Sequence, residues 1–130
     1  MAIEDYTYPG ATRILASQGI LLKKGDGRIL LADCDLAADQ IRVSTVKDES
    51  VGRKETYCFT AIGRTGYLTL ELPRVFALEA TEDHPISADL TADGQTTTIR
   101  VPKGGFATVG EGDLPSGGKR SVLVEIRVTD

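Results

Sequence analysis

The chain has 130 residues, 41% hydrophobic and 26% charged, with a formal net charge of −4. That is the length and composition of a single globular domain, residues 1–130, able to bury a core of its own. The negative balance speaks against nucleic acid, whose phosphates call for a cationic face. No apolar run approaches the roughly 20 residues of a membrane helix.

The N-terminal stretch MAIEDYTYPG is acidic and polar. It lacks the basic start and apolar centre of an export signal, so the expected location is cytoplasmic, with a trimmed secreted form as the alternative. Tyr6 and Tyr8 share one parity of this extended segment and form a candidate contact pair. No helix of any length is expected, because 14 Gly and 5 Pro cut the chain into short pieces. Most of those pieces alternate with period two, the strand signal. TRILA is the first candidate strand.

The stretch ILLKKGDGRILLA reads as a hairpin around Gly25-Asp26-Gly27. Its strands are apolar on both parities, Ile20, Leu21 and Leu22 against Ile29, Leu30 and Leu31. Such strands are normally covered on both faces. A three-residue loop puts Leu21 and Leu31 on one face and Leu22 and Leu30 on the other. The expected cover is a protein partner or second copy docking over Leu21 and Leu31, with Tyr6 and Tyr8 beside them. Fold-back of the N-terminal segment is the alternative.

Four aspartates, Asp26, Asp33, Asp35 and Asp39, crowd GDGRILLADCDLAAD. Asp33, Asp35 and Asp39 are candidate calcium ligands, since calcium takes several carboxylate oxygens from one loop. The EF-hand spacing fails, however, with Ala37 and Ala38 where a ligand and a glycine should stand. The simpler expectation is a strand ending at Asp33 and a turn over DLAADQ capped by Asp33 or Asp35. No metal and no cofactor is expected.

Further on, QIRVSTV aligns Ile41, Val43 and Thr45. A polar loop follows, Val46 to Lys54. ETYCFTAI puts Cys58 with Thr56, Thr60 and Ile62, opposite Tyr57, Phe59 and Ala61. GYLTLEL aligns Leu68, Leu70 and Leu72. RVFALEA aligns Phe76, Leu78 and Ala80. Cys34 and Cys58 are expected to be free thiols, because two cysteines make no disulfide framework and no export signal is visible. The lone histidine, His84, sits in the charged loop TEDHP. One histidine with two cysteines does not easily supply a zinc site; a triad is formally open to any fold, but His84 is expected to be a solvated residue or a local hydrogen-bonding partner.

PISADLTADGQTTTIRV carries the firmest local signal. Asp93-Gly94 suits a type I′ turn, in which both central residues take positive φ. That turn pairs Ile86 with Val101, Ala88 with Ile99 and Leu90 with Thr97 on an apolar face. Ser87–Arg100, Asp89–Thr98 and Thr91–Thr96 fall on a polar one. GFATV is another short strand, and the loop Gly110–Arg120 is the most flexible interior segment by composition. SVLVEIRV aligns Val122, Val124, Ile126 and Val128. PKGG and SGGKR place glycine beside cations, but no helix follows to make a phosphate loop.

About ten short strands point to an all-β antiparallel β-sandwich of jelly-roll or immunoglobulin-like type, with a partly closed barrel as second choice. The expected function is non-catalytic: a protein–protein interaction module or a subunit of a larger assembly. A glycan-binding module, calcium-assisted through Asp33, Asp35 and Asp39, is the first alternative, although stacking rings are few, with three Phe, four Tyr and no Trp. A hydrolase using a carboxylate pair is the second.

Overall fold

The structure, a computed structural model, describes residues 6–129, with the side chains of Tyr6 and Ser116 left out. The chain runs through β1 (Tyr6–Thr7), α1 (Ala11–Gln18), β2 (Leu21–Gly25), β3 (Ile29–Ala32), β4 (Ile41–Thr45) and β5 (Thr56–Ala61). It continues through β6 (Gly66–Pro73), β7 (Val75–Glu79), β8 (Ile86–Ala92), β9 (Gln95–Val101), β10 (Phe106–Thr108) and β11 (Val122–Val128). The strands form two antiparallel sheets, ordered β1-β2-β6-β11-β8-β9 and β10-β7-β4-β5-β3. Neither closes on itself, so the fold is a β-sandwich and not a barrel. Among the described residues no helix is long and apolar enough to cross a membrane.

The core is the meeting of the two inner faces. Leu22, Leu68, Leu70, Leu72, Leu123 and Ile126 come from the six-stranded sheet. Ile29, Ile41, Val43, Tyr57, Phe59 and Leu78 come from the five-stranded one, and all twelve are at most 1% exposed. Period-two alternation places β4, β5 and β6 as the sequence predicts: Ile41, Val43 and Thr45 are buried, as are Tyr57 and Phe59, and Leu68, Leu70 and Leu72. The β8–β9 hairpin has the predicted register at every pair. Asp93 and Gly94 have φ of 52° and 76°, the two positive values a type I′ turn requires.

Five expectations are corrected. TRILA is not a strand but lies in α1. Gly10 and Gly19, both at φ 71°, bracket the helix, and the second closes it by donating its N–H to the Leu15 carbonyl. Between them stand good helix formers, and Ile14 packs on the core. Second, Gly25–Gly27 is not a hairpin loop. β2 belongs to one sheet and β3 to the other. The Asp26 carboxylate accepts the Arg28 N–H at 3.1 Å and the Tyr67 N–H at 3.3 Å, which holds the chain as it crosses. Leu22 and Ile29 therefore face the same core from opposite sides, which a flat hairpin would forbid.

Third and fourth, two strands carry irregularities that shift their alternation. In β11 the register slips between Leu123 and Glu125, where Leu123 faces Leu90 and Glu125 faces Asp89. Leu123, Ile126 and Val128 are buried as a result, while Val122 and Val124 are only half-buried. In β7 the slip falls at Phe76, since Ser44 faces Ala77 and Thr45 faces Val75. Val75 joins Leu78 and Ala80 in the core and Phe76 does not. An extra residue on one strand flips the parity beyond it.

Fifth, Cys34 and Cys58 are bonded, with sulfurs 2.04 Å apart and Cα atoms 5.1 Å apart. Cys58 lies opposite Ala32 at the end of β3, and Cys34 follows two residues later, so the chain itself brings the two within bonding reach.

Candidate interaction surface

An open sandwich leaves strand edges, and each edge presents unpaired N–H and C=O groups. Here the four edges differ. Among the described residues β1 has two, and β10 has three, too short to template a partner. β3 is guarded. The Tyr8 hydroxyl accepts the outward N–H of Leu31 at 2.8 Å, and the disulfide holds the chain just beyond the strand. β9 is seven residues long, QTTTIRV, and has none of these protections. It contains no proline, its register with β8 is unbroken, and no charged side chain points inward from it.

Hairpin geometry says which groups are free. The Asp93-Gly94 turn is closed by Ala92 and Gln95, a hydrogen-bonded pair, and bonded pairs then alternate along the ladder. Gln95, Thr97, Ile99 and Val101 spend their backbone groups on β8. The N–H and C=O of Thr96, Thr98 and Arg100 point away from the sheet. The side chains of these three lie on its outer face, where Thr96 shares a 2.8 Å hydroxyl contact with Thr91, and Thr98 donates to Asp89 at 2.7 Å. On the inner side, a groove of about 340 Å³ runs under β9, lined among others by Leu90, Thr97, Ile99, Val109 and Lys119. Its apolar floor is Leu90, Ile99 and Val109. Lys119 pairs with Asp93 at 2.9 Å across its end, and that contact raises the lysine pKa.

Two charge clusters stiffen the frame around this surface. On the outer face Arg127 donates to Asp89 at 2.9 and 3.0 Å and to Glu125 at 3.0 Å. Its hydrogen bonds hold the Asp89 carboxyl below the usual carboxylate range, against a smaller opposing effect of burial. At the end of the sandwich Arg74, in left-handed backbone at φ 58°, grips Glu111 with two bonds of 2.9 and 2.6 Å. This clamps the long loop, which holds two single 3-10 turns, Gly110–Gly112 and Leu114–Ser116. The Glu111 carboxyl is likewise lowered, chiefly by Arg74. A glycosidase acid needs its carboxyl pushed up to stay protonated. Asp89 and Glu111 are both pushed the other way.

The residues nominated from sequence are not gathered in one place. Asp35 caps its own turn, its carboxylate accepting the Ala37 N–H at 2.9 Å. Asp39 reaches instead to the β7–β8 loop and accepts the Glu82 N–H at 2.8 Å. At Asp33 it is the backbone carbonyl that is used, by the Gln40 amide at 2.8 Å. His84 is half-buried, its backbone N–H and C=O both engaging the Thr81 hydroxyl. In PKGG, the Gly104 and Gly105 amides donate to the Thr81 and Pro102 carbonyls and are not free to cradle an anion. Leu21 and Leu31 are half-buried, with Tyr8 of the same chain lying against Leu31. The Tyr6 side chain lies outside the described residues.

No protein-family model matches the chain, and no curated protein matches it in sequence. Function has to be argued from the surface itself. Sequence reasoning located β9 but not its importance, because nothing in QTTTIRV says that it ends a sheet. The one usable signal was the exposed, threonine-rich run on both parities, which a strand between two neighbours in a sandwich seldom carries.

Proposed function

We propose that this chain is a non-catalytic protein–protein interaction module that receives an extended segment as an added strand along β9. The observation that carries the reading is the contrast between edges: β9 is long, regular and unblocked, while the other described edges are short or capped. Strand addition draws its affinity from backbone hydrogen bonds and its selectivity from pockets for alternate side chains. Thr96, Thr98 and Arg100 supply the first, and the groove over Leu90, Ile99 and Val109 supports the second. The Cys34–Cys58 disulfide favours a non-reducing setting over the cytoplasm.

The test is a selection of extended peptides from a random library on the immobilised chain, with hydrogen exchange followed by NMR. A bound peptide should slow exchange at the Thr96, Thr98 and Arg100 amides. Thr98→Pro deletes an outward donor at a position where an edge strand tolerates proline. Thr97→Lys turns a charge toward the groove. Both should abolish binding and leave the fold intact. Binders that are indifferent to both substitutions would show that the surface lies elsewhere.

A further inference from the structure

We propose that a cleft at the Val101 end of β9, on the outer side of the six-stranded sheet, is a binding site for a small organic carboxylate. The cleft has a volume of about 320 Å³ and lies where the start of β8, the end of β9 and the end of β11 come together. Pro85 and Pro102 wall it, and Ser87, Arg100 and Thr129 supply its polar groups. The site is separate from strand addition: Arg100 turns its backbone to the open edge and its side chain to the outer face.

Register builds the site. Arg127 of β11, Ser87 of β8 and Arg100 of β9 stand side by side in one cross-strand row. A serine on the outer face of a sheet is ordinarily wet, yet Ser87, between two arginines, is only 5% exposed. None of the described residues hydrogen-bonds its hydroxyl, which is left to the cleft. The two arginines are not equivalent. Arg127 is spent on Asp89 and Glu125, with bonds of 2.9, 3.0 and 3.0 Å. Arg100 is exposed and forms no ion pair with any described residue, in a chain whose net charge is −4. No acidic side chain among the described residues lines the cleft to neutralise it.

These groups select an anion of one kind. A guanidinium fork matches the two oxygens of a carboxylate. The hydroxyls of Ser87 and Thr129 each have a further hydrogen to donate. One uncommitted positive charge balances a monoanion better than a phosphate, which carries close to two negative charges. The proline walls suit an apolar body beside the carboxylate. The volume stands at the lower end of the range for ligand pockets, roughly 300–1,000 Å³, and so keeps that body small.

The experiment is an NMR titration of the isotope-labelled chain at fixed ionic strength, with isobutyrate, its neutral amide isobutyramide and inorganic phosphate added separately. Isobutyrate should move the Ser87, Arg100 and Thr129 amides along one saturable curve. Isobutyramide should leave them in place, and phosphate should bind more weakly. Arg100→Gln should weaken isobutyrate binding by roughly tenfold or more, as loss of a charge-assisted pair requires. Arg100→Lys keeps the charge without the fork and should fall between. Ser87→Ala should weaken it by roughly threefold to fivefold, the worth of one neutral donor. Neither Ser87 nor Arg100 belongs to the apolar core, so the spectrum away from the cleft should stay as in the wild type. Absence of any saturable shift with isobutyrate overturns the proposal. So does equal binding of the amide, tighter binding of phosphate, or an isobutyrate affinity unchanged by Arg100→Gln.

Discussion

The phenol of Tyr8 and the backbone of Leu31 are joined by one hydrogen bond of 2.8 Å, and that bond separates a closed sheet edge from an open one. Tyr8 comes from the segment before α1 and reaches over the flank of β3. Tyr8→Phe keeps the ring and removes the acceptor. We expect a loss of about 1 kcal/mol in denaturant unfolding and faster hydrogen exchange at the Leu31 amide. An unchanged Leu31 exchange rate would mean that the edge is guarded by something other than this hydroxyl.

The disulfide should act as a staple that ties an exposed loop to the buried sheet. Cys58 is fully buried in β5 while Cys34 is exposed, and the bridge closes a loop with a sequence separation of 24. Constraint of the unfolded chain at that loop length is worth about 3 kcal/mol. Reduction, or Cys34→Ser with Cys58→Ala, should lower the denaturation midpoint by that order while leaving the folded NMR spectrum in place outside β3 and β5. Equal midpoints with and without reductant would show the staple to be idle.

Acid should weaken the protein through Asp89 and Glu111. Both carboxyls are held below their ordinary values in the folded state, by Arg127 and Arg74 respectively. A lowered folded pKa contributes stability that is fully present above the unfolded value, near 4 for a free carboxyl. It is lost as pH falls from there through the folded value. Asp89→Asn should therefore cost stability at neutral pH and flatten the acid limb of the stability–pH curve. A limb as steep as wild type would assign the acid sensitivity to other groups.

Two glycines with the same kind of backbone should respond differently to alanine. Gly94 at φ 76° has open space where a Cβ would go, so Gly94→Ala should cost only the left-handed strain, about 1 kcal/mol. At Gly19, φ 71°, a Cβ would stand 2.6 Å from the Gly52 carbonyl carbon. Gly19→Ala should be clearly worse, because the α1 end and the Glu49–Val51 turn must then move apart. Equal melting temperatures for the two variants would contradict this packing.

Calcium should leave the melting temperature unchanged. Asp35 and Asp39 are committed to separate backbone amides. A ligand held only by the folded state adds about 2.7 kcal/mol at a hundredfold excess over its dissociation constant, several degrees for a domain of this size. A calcium-dependent rise lost in Asp35→Asn would restore the glycan-module alternative.

Much of the architecture was legible because alternation and turn chemistry are local. The Asp93-Gly94 hairpin, the inward Leu68, Leu70 and Leu72, and the split of Tyr57 and Phe59 from Thr60 all follow from neighbours in sequence. What misled was non-local. The slip at Phe76 exists only relative to β4, and the slip after Leu123 only relative to β6 and β8. Gly25-Asp26-Gly27 looks the same whether the next strand returns beside β2 or crosses to the facing sheet. α1 was hidden because eight residues give too few periods to tell a helix from a strand. The candidate surface was invisible for the same reason: edge or interior is a property of the sheet order, not of the strand.

The place of β11 in that order has a consequence for synthesis. β11, made after every other described strand, lies in the middle of the six-stranded sheet, between β6 and β8. Until Val122–Val128 emerges, β6 and β8 present facing, unsatisfied edges, and the inner wall lacks Leu123 and Ile126. A nascent chain halted before Val122 should stay open to protease, and one carrying β11 clear of the exit tunnel should become resistant in a single step.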